Sequence, residues 1–181
     1  MRIDEIEPVS LHRKRKIEIP NRHPPEPEYE IGTLRGIDVY FDTSDRELPE
    51  LQGWMNKAPV FVIELIKRKK NIYYISLTRL AGKFQGFGFM PELYAFVLNA
   101  MPGFQFQSGS FQSPGGHKVW QQLSMRPDVL VYTVMKRQKI PLEYDPDSNS
   151  FEPIRATDDI DVYGAGNRLS LFAVAANKQH F

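Results

Sequence analysis

The stretch "RLAGKFQGFGFMPELYAFVL", residues 79–98, decides how the chain is read. Gly82, Gly86 and Gly88 crowd its first half. Leu93, Phe96, Val97 and Ala100 then recur at i, i+3, i+4 and i+7, which is one face of a helix. Pro91 suits the first turn of that helix, where its missing N–H costs no hydrogen bond. Glycine lets a backbone reach positive φ and approach a ligand closely. Free N–H groups ahead of a helix attract anions, because the helix N-terminus carries partial positive charge. The stretch therefore reads either as an anion-holding loop or as a flexible strand-to-helix turn. It lacks the G-K-[ST] of a nucleotide-hydrolase loop, and Pro91 stands at the third position of G-x-G-x-x-G.

Working outward, "VFVIELI" (60–66) and "IYYISLTRL" (72–80) are rich in β-branched and aromatic residues, and "KRKKN" between them suits a hairpin. Further upstream, "RGIDVYFD" alternates, with Ile37, Val39 and Phe41 on one face, while "GWMNKAP" reads as loop. Downstream, "FQFQSGS" (104–110) reads as a strand. In "SPGGHKVWQQL", Ser113 is the expected N-cap and Pro114 the first helical residue, with Val119, Trp120 and Leu123 inward. "VLVYTVM" (129–135) and "LSLFAVAA" (169–176) read as strands, and "KIPLEYDPDSNSFEPI" as a hairpin turning at "DPDSN". The expected fold is a mixed α/β (α+β) domain with a largely antiparallel sheet and helices packed on it. It spans 31–181, with the hairpin near 137–154 as an insertion.

Residues 1–30 differ from the rest. "LHRKRK" is basic, and the prolines from Pro20 to Pro27 favour an extended arm, to which "KIEIP" could add an edge strand. The chain of 181 residues is 41% hydrophobic and 25% charged, with a net charge of +1. That balance is ordinary for one globular domain and gives no global field toward nucleic acid or an anionic membrane. The basic runs "HRKRK" and "KRKK" could touch phosphates, but plain solvated charge is the favoured reading, so a nucleic-acid partner is not the expected one. With no cysteine there is no disulfide, thiolate nucleophile or cysteine zinc site. The four histidines lack metal-ligand spacing, so no metal is expected. No secretory signal or bilayer-length apolar run is visible, and a cytoplasmic protein is expected.

"KFQGFG", Lys83–Gly88, resembles the coenzyme A pyrophosphate loop of the GNAT superfamily of N-acetyltransferases. That loop reads Arg or Gln, two residues, Gly, one residue, then Gly or Ala, between the family's fourth strand and third helix. "IYYISLT" and "MPELYAFVLNAM" stand in those places. The order downstream is also similar: a fifth strand, a fourth helix and two closing strands, over roughly residues 35–176. "QSPGGHKVWQQL" with the Pro-Asp turn and strand after it is similar to small, often phage-encoded GNAT-like proteins, which would place this one in a host cytoplasm. Two departures stand out. Lys83 replaces Arg or Gln, and the family's first two helices have no counterpart before the Pro-rich arm gives way to strands.

The resemblance implies acetyl-CoA or coenzyme A as cofactor and acyl transfer to a small-molecule or protein amine. Its implied cofactor residues are Lys83, Phe84, Gln85, Gly86, Phe87, Gly88 and Phe89 at the pyrophosphate. A backbone N–H near Leu77 or Thr78 would polarise the thioester carbonyl. "IYYISLTRL" has no carboxylate, so Glu64 on the preceding strand is the nearest candidate base, against its reading as an outward strand residue. Tyr132 is the candidate proton donor to the leaving thiolate, against a core tyrosine. Ser108, Ser110 and Gln112 form a polar run where family members splay two strands to admit the cofactor, and they are candidate substrate contacts. The alternative function is a catalytically degenerate member of the fold, binding a protein partner through the arm or the 137–154 hairpin.

Overall fold

The computed structural model describes residues 23–109, 112–155 and 170–176. Among the described residues the chain runs β1 (Glu30–Leu34), β2 (Ile37–Asp42), β3 (Glu50–Met55), β4 (Ala58–Lys69), β5 (Ile72–Leu80), α1 (Phe89–Ala100) and β6 (Gln105–Gln107). It continues through α2 (Pro114–Ser124), β7 (Val129–Met135), β8 (Gln138–Asp145), β9 (Ser150–Pro153) and β10 (Phe172–Ala175). The described residues form a mixed α/β fold, with one large, mostly antiparallel sheet and two α-helices. Strand order is β1-β2-β3-β4-β5-β6-β10-β7-β8-β9, and the last strand is inserted between β6 and β7. Among the described residues only β5 and β6 pair in parallel. Residues 1–22, including the basic run and "KIEIP", lie outside the described residues.

Tight hairpins dominate because the turns tolerate left-handed backbone. Arg35-Gly36, Asn56-Lys57 and Lys136-Arg137 each place two consecutive residues at positive φ. Two such residues match the right-handed twist of paired strands. The second of these turns corrects the expectation of a loop over "GWMNKAP". Strand β3 runs on through Gly53–Met55, and only Asn56 and Lys57 turn. Gly53 makes this possible: the Phe61 ring packs across it, so close that a Cβ there would lie 2.0 Å from Phe61 Cε1. At the other hairpin, Asp145 accepts hydrogen bonds from the Asp147 and Ser148 amides, closing the turn between β8 and β9.

Both helices pack on one face of the sheet. Leu93, Val97 and Leu98 of α1 and Trp120 and Leu123 of α2 join Phe61, Ile63, Leu65 and Phe106 in one buried cluster. The buried stripe of α1 is displaced from the expected one. Tyr94 and Leu98 are buried, Phe96 is half-buried beside Gly32, and Ala100 is exposed. The helix leans toward the sheet by its 93/94/97/98 edge, which places Tyr94 against Phe106 with ring centroids 4.7 Å apart. Among the described residues no helix is long and apolar enough to cross a membrane.

Strand β6 is shorter than expected, for a reason that shapes the site. After Gln107 the chain turns from β5 to β10: Ser108 N–H donates to Leu171 O, and the Leu171 N–H donates to Ser108 Oγ. The parallel ladder therefore ends at Tyr74 and Gln107, while β5 continues to Leu80.

Candidate functional site

Where β5 and β6 part, a cavity of about 720 Å³ opens between them. One wall is β5 from Tyr74, the last residue paired with β6, along its free edge to Thr78; the other is Ser108, Gly109 and Gln112. The crevice beyond the carboxyl ends of parallel strands is where open α/β sheets commonly bind ligands. The β5 wall carries a bulge. Leu65 pairs with Ile75 and Glu64 with Leu77, which leaves Ser76 as an extra residue. Bulges bend a strand, re-aim its backbone groups and are over-represented beside functional sites.

Two helices begin at the cavity. Gly88 caps α1 in the left-handed conformation, φ +68°, and Gly86 also has positive φ, +84°. A Cβ at either would meet nothing within 4 Å, so backbone conformation, not crowding, calls for glycine there. Across the cavity, Ser113 caps α2 by accepting a hydrogen bond from the Gly116 N–H at 3.1 Å. The first N–H groups of each helix have no intrahelical partner. Gly86, Gly88, Gly115 and Gly116 all line the cavity, so both positive helix ends lie on it.

Of the residues singled out in the sequence, Leu77, Thr78, Phe84, Gln85, Gly86, Gly88, Phe89, Ser108 and Gln112 line this cavity. Lys83 and Phe87 are on the same loop but do not line it. Lys83 Nζ sits 5.1 Å from the Phe84 ring centroid, and Phe87 is 73% exposed. Gln85 Nε2 donates to Leu80 O at 2.8 Å, which braces the loop. Ser110 lies outside the described residues.

Neither candidate catalytic side chain lines the cavity. Glu64 lies on the sheet face opposite α1 and α2, beside its cross-strand partner Leu77, with Oε1 held 2.8 Å from Arg79 Nη1. Tyr132 is buried three strands from β5. It stacks on Phe172, and its hydroxyl donates to Gln105 Oε1. Burial raises its pKa.

The cavity instead presents Tyr94, which the sequence reading did not single out. Its hydroxyl lies 3.4 Å from Thr78 Oγ1 on β5. Burial pushes its pKa up to about 12, so the phenol keeps its proton at neutral pH. Lys118 of α2 also lines the cavity. A signal for it was present. "SPGGHK" puts two basic residues and no carboxylate near a helix start, the reverse of the usual bias. Gln112 adds an acceptor: its Oε1 is buried and has no hydrogen-bond partner among the described residues. No Asp, Glu or His is among the described residues that line the cavity.

No protein-family model matches the sequence, and no curated protein matches it significantly.

Proposed function

We propose that this cavity holds an acyl-coenzyme A and that the protein is a GNAT-type acyl-CoA-dependent N-acyltransferase acting on an amine. The observation that carries this reading is the parting of the parallel pair β5 and β6 beside a glycine loop that opens α1. The donor set fits the cofactor. Loop and helix N–H groups around Gly86–Phe89 suit a pyrophosphate, with Lys118 adding a formal charge. The buried Gln112 Oε1 suits an amide N–H of the pantetheine arm. The backbone at Ser76–Thr78 suits the acyl carbonyl, because the bulge and the missing β6 pairing expose that edge. When bound, the cofactor supplies an activated acyl thioester. Tyr94 Oη, which burial keeps protonated, offers a hydrogen bond to the leaving thiolate inside the cavity, although its raised pKa makes it a weaker acid than an ordinary tyrosine.

One observation favours a second reading. The described lining has no carboxylate or imidazole to take a proton from an ammonium acceptor. In that reading the cavity binds the cofactor without turnover and the domain serves as a binding module. Calorimetric titration with acetyl-CoA and coenzyme A, with Gly86→Glu as control, tests both. Absence of binding at millimolar ligand removes both readings. Binding with turnover on a panel of amines supports the enzyme, and binding without turnover supports the module.

A further inference from the structure

The neutral net charge conceals a division between the two ends of the sheet. Strand pairing places the Asn56-Lys57 turn, the Lys136-Arg137 turn, the glycine loop and the start of α2 at one end, around the cavity mouth. Exposed Lys57, Lys83, Lys118, Lys136, Arg137 and Lys139 gather there. The carboxylates described at that end are Asp38 and Glu92, and Glu92 is already paired with Arg35. Residues 156–169 lie outside the described residues, and the excess of cations is that of the described ones. The opposite end carries Asp45, Glu47, Asp128, Asp145 and Asp147 together with Arg46, Arg126 and the "KRKK" run, so acid and base are nearly balanced there, while Asp42 and Glu50 stand at mid-sheet, level with Leu77.

A single coenzyme does not account for this rim. Of the six cations, Lys118 alone lines the cavity. The Lys57 and Lys136-Arg137 turns stand four strand spacings apart along the sheet, from β4 to β7. That is about 19 Å even before the splay widens it. Between them, on the loop after β5, Phe87 projects with 73% of its surface exposed. A cationic track with an exposed aromatic between its charges is how proteins hold single-stranded nucleic acid. The charges follow the backbone, and the ring stacks on a base of any sequence. An acidic protein surface would use the charges but not the bare ring.

We propose that the cavity-end rim of the sheet is a binding surface for single-stranded nucleic acid, with Lys57, Lys136 and Arg137 as backbone contacts and Phe87 as the stacking ring. The proposal goes beyond the acyl-CoA reading and does not depend on it.

The test is fluorescence anisotropy of the full chain with labelled 12-mers of oligo-rU and oligo-dT, the matching duplex, and a poly-glutamate peptide. The single strands should bind more tightly than the duplex or the peptide. With three phosphates engaged, raising salt from 50 to 200 mM should weaken single-strand binding about 20-fold. Lys57→Asp/Lys136→Asp/Arg137→Asp should abolish binding; aspartate suits these left-handed positions, so the fold should persist. Phe87→Ala should weaken it about tenfold. The opposite-end variant Lys67→Glu/Lys69→Glu/Lys70→Glu should bind like wild type. Stronger binding by the RNA or the DNA strand identifies the natural source. Wild-type binding by the Lys57/Lys136/Arg137 variant, equal loss in the opposite-end variant, or equal affinity for poly-glutamate would each overturn the proposal. Because no coenzyme is present, failure here leaves the acyl-CoA titration intact, and the converse also holds.

Discussion

The Tyr94 hydroxyl lies 3.4 Å from Thr78 Oγ1, linking the first turns of α1 to the unpaired edge of β5 inside the cavity. Burial pushes the Tyr94 pKa up to about 12 from the ordinary value near 10. Between those values the folded protein keeps a proton that the unfolded chain has lost. The corresponding stability is therefore complete below pH 10 and is lost as pH rises toward 12, by roughly 2–3 kcal/mol in all. Urea midpoints measured from about pH 9 to 11.5 should fall more steeply for wild type than for Tyr94→Phe. Parallel curves would show that Tyr94 is not held neutral by burial.

Gly53 and Phe61 are coupled by contact. Gly53→Ala puts a methyl 2.0 Å from Phe61 Cε1, an overlap that forces the ring to shift, and should cost about 1–3 kcal/mol, read from a urea or thermal transition. Phe61→Leu in the same chain should recover part of that loss. Simple additivity of the two changes would contradict the contact.

Ser113 fixes where α2 begins by capping the Gly116 N–H. Ser113→Ala should lower stability by about 1 kcal/mol. Ser113→Asp should restore it, since aspartate caps equally well. Failure of the aspartate to rescue would mean that Ser113 contributes something other than the cap.

Gln112 behaves differently because its buried Oε1 has no partner among the described residues. Gln112→Met removes an acceptor whose burial is uncompensated, so stability should stay level or rise by about 1 kcal/mol. Affinity for coenzyme A should fall in the same variant. A loss of stability without a loss of affinity would assign Gln112 to the fold and not to the ligand.

The elements legible in the sequence were those whose local pattern agreed with their surroundings. The β-branched runs at 60–66 and 72–80, the Ser113-Pro114 cap and the "DPDSN" turn each carry their own signal, and each appears in the fold. Gly53–Met55 was read as loop because glycine beside "NK" looks like a turn. The strand persists there because its glycine accommodates the Phe61 ring, a contact made between strands. Ser76 gives no local sign of being the extra residue, since a bulge exists only relative to the partner strand.

The site followed the same rule. Gly86 and Gly88 were visible because positive φ has a residue preference. Tyr94 was hidden within a helix whose apolar stripe was placed half a face away, and its role rests on contacts with β5 and β6. Glu64 was selected by closeness in sequence to β5, yet strand alternation turns it to the face opposite the helices. The basic residues of the rim are scattered from Lys57 to Lys139, and only the strand order gathers them.

The central claim is that the gap between β5 and β6 is a coenzyme A site. Amide chemical-shift mapping tests it most directly, because glycines stand on both sides of the gap. Titration with coenzyme A should move the Gly86, Gly88, Gly115 and Gly116 amide signals together and saturably, while Gly36 and Gly53 stay in place. If millimolar coenzyme A left those four signals unmoved, or moved signals only at the opposite end of the sheet, the account would be contradicted.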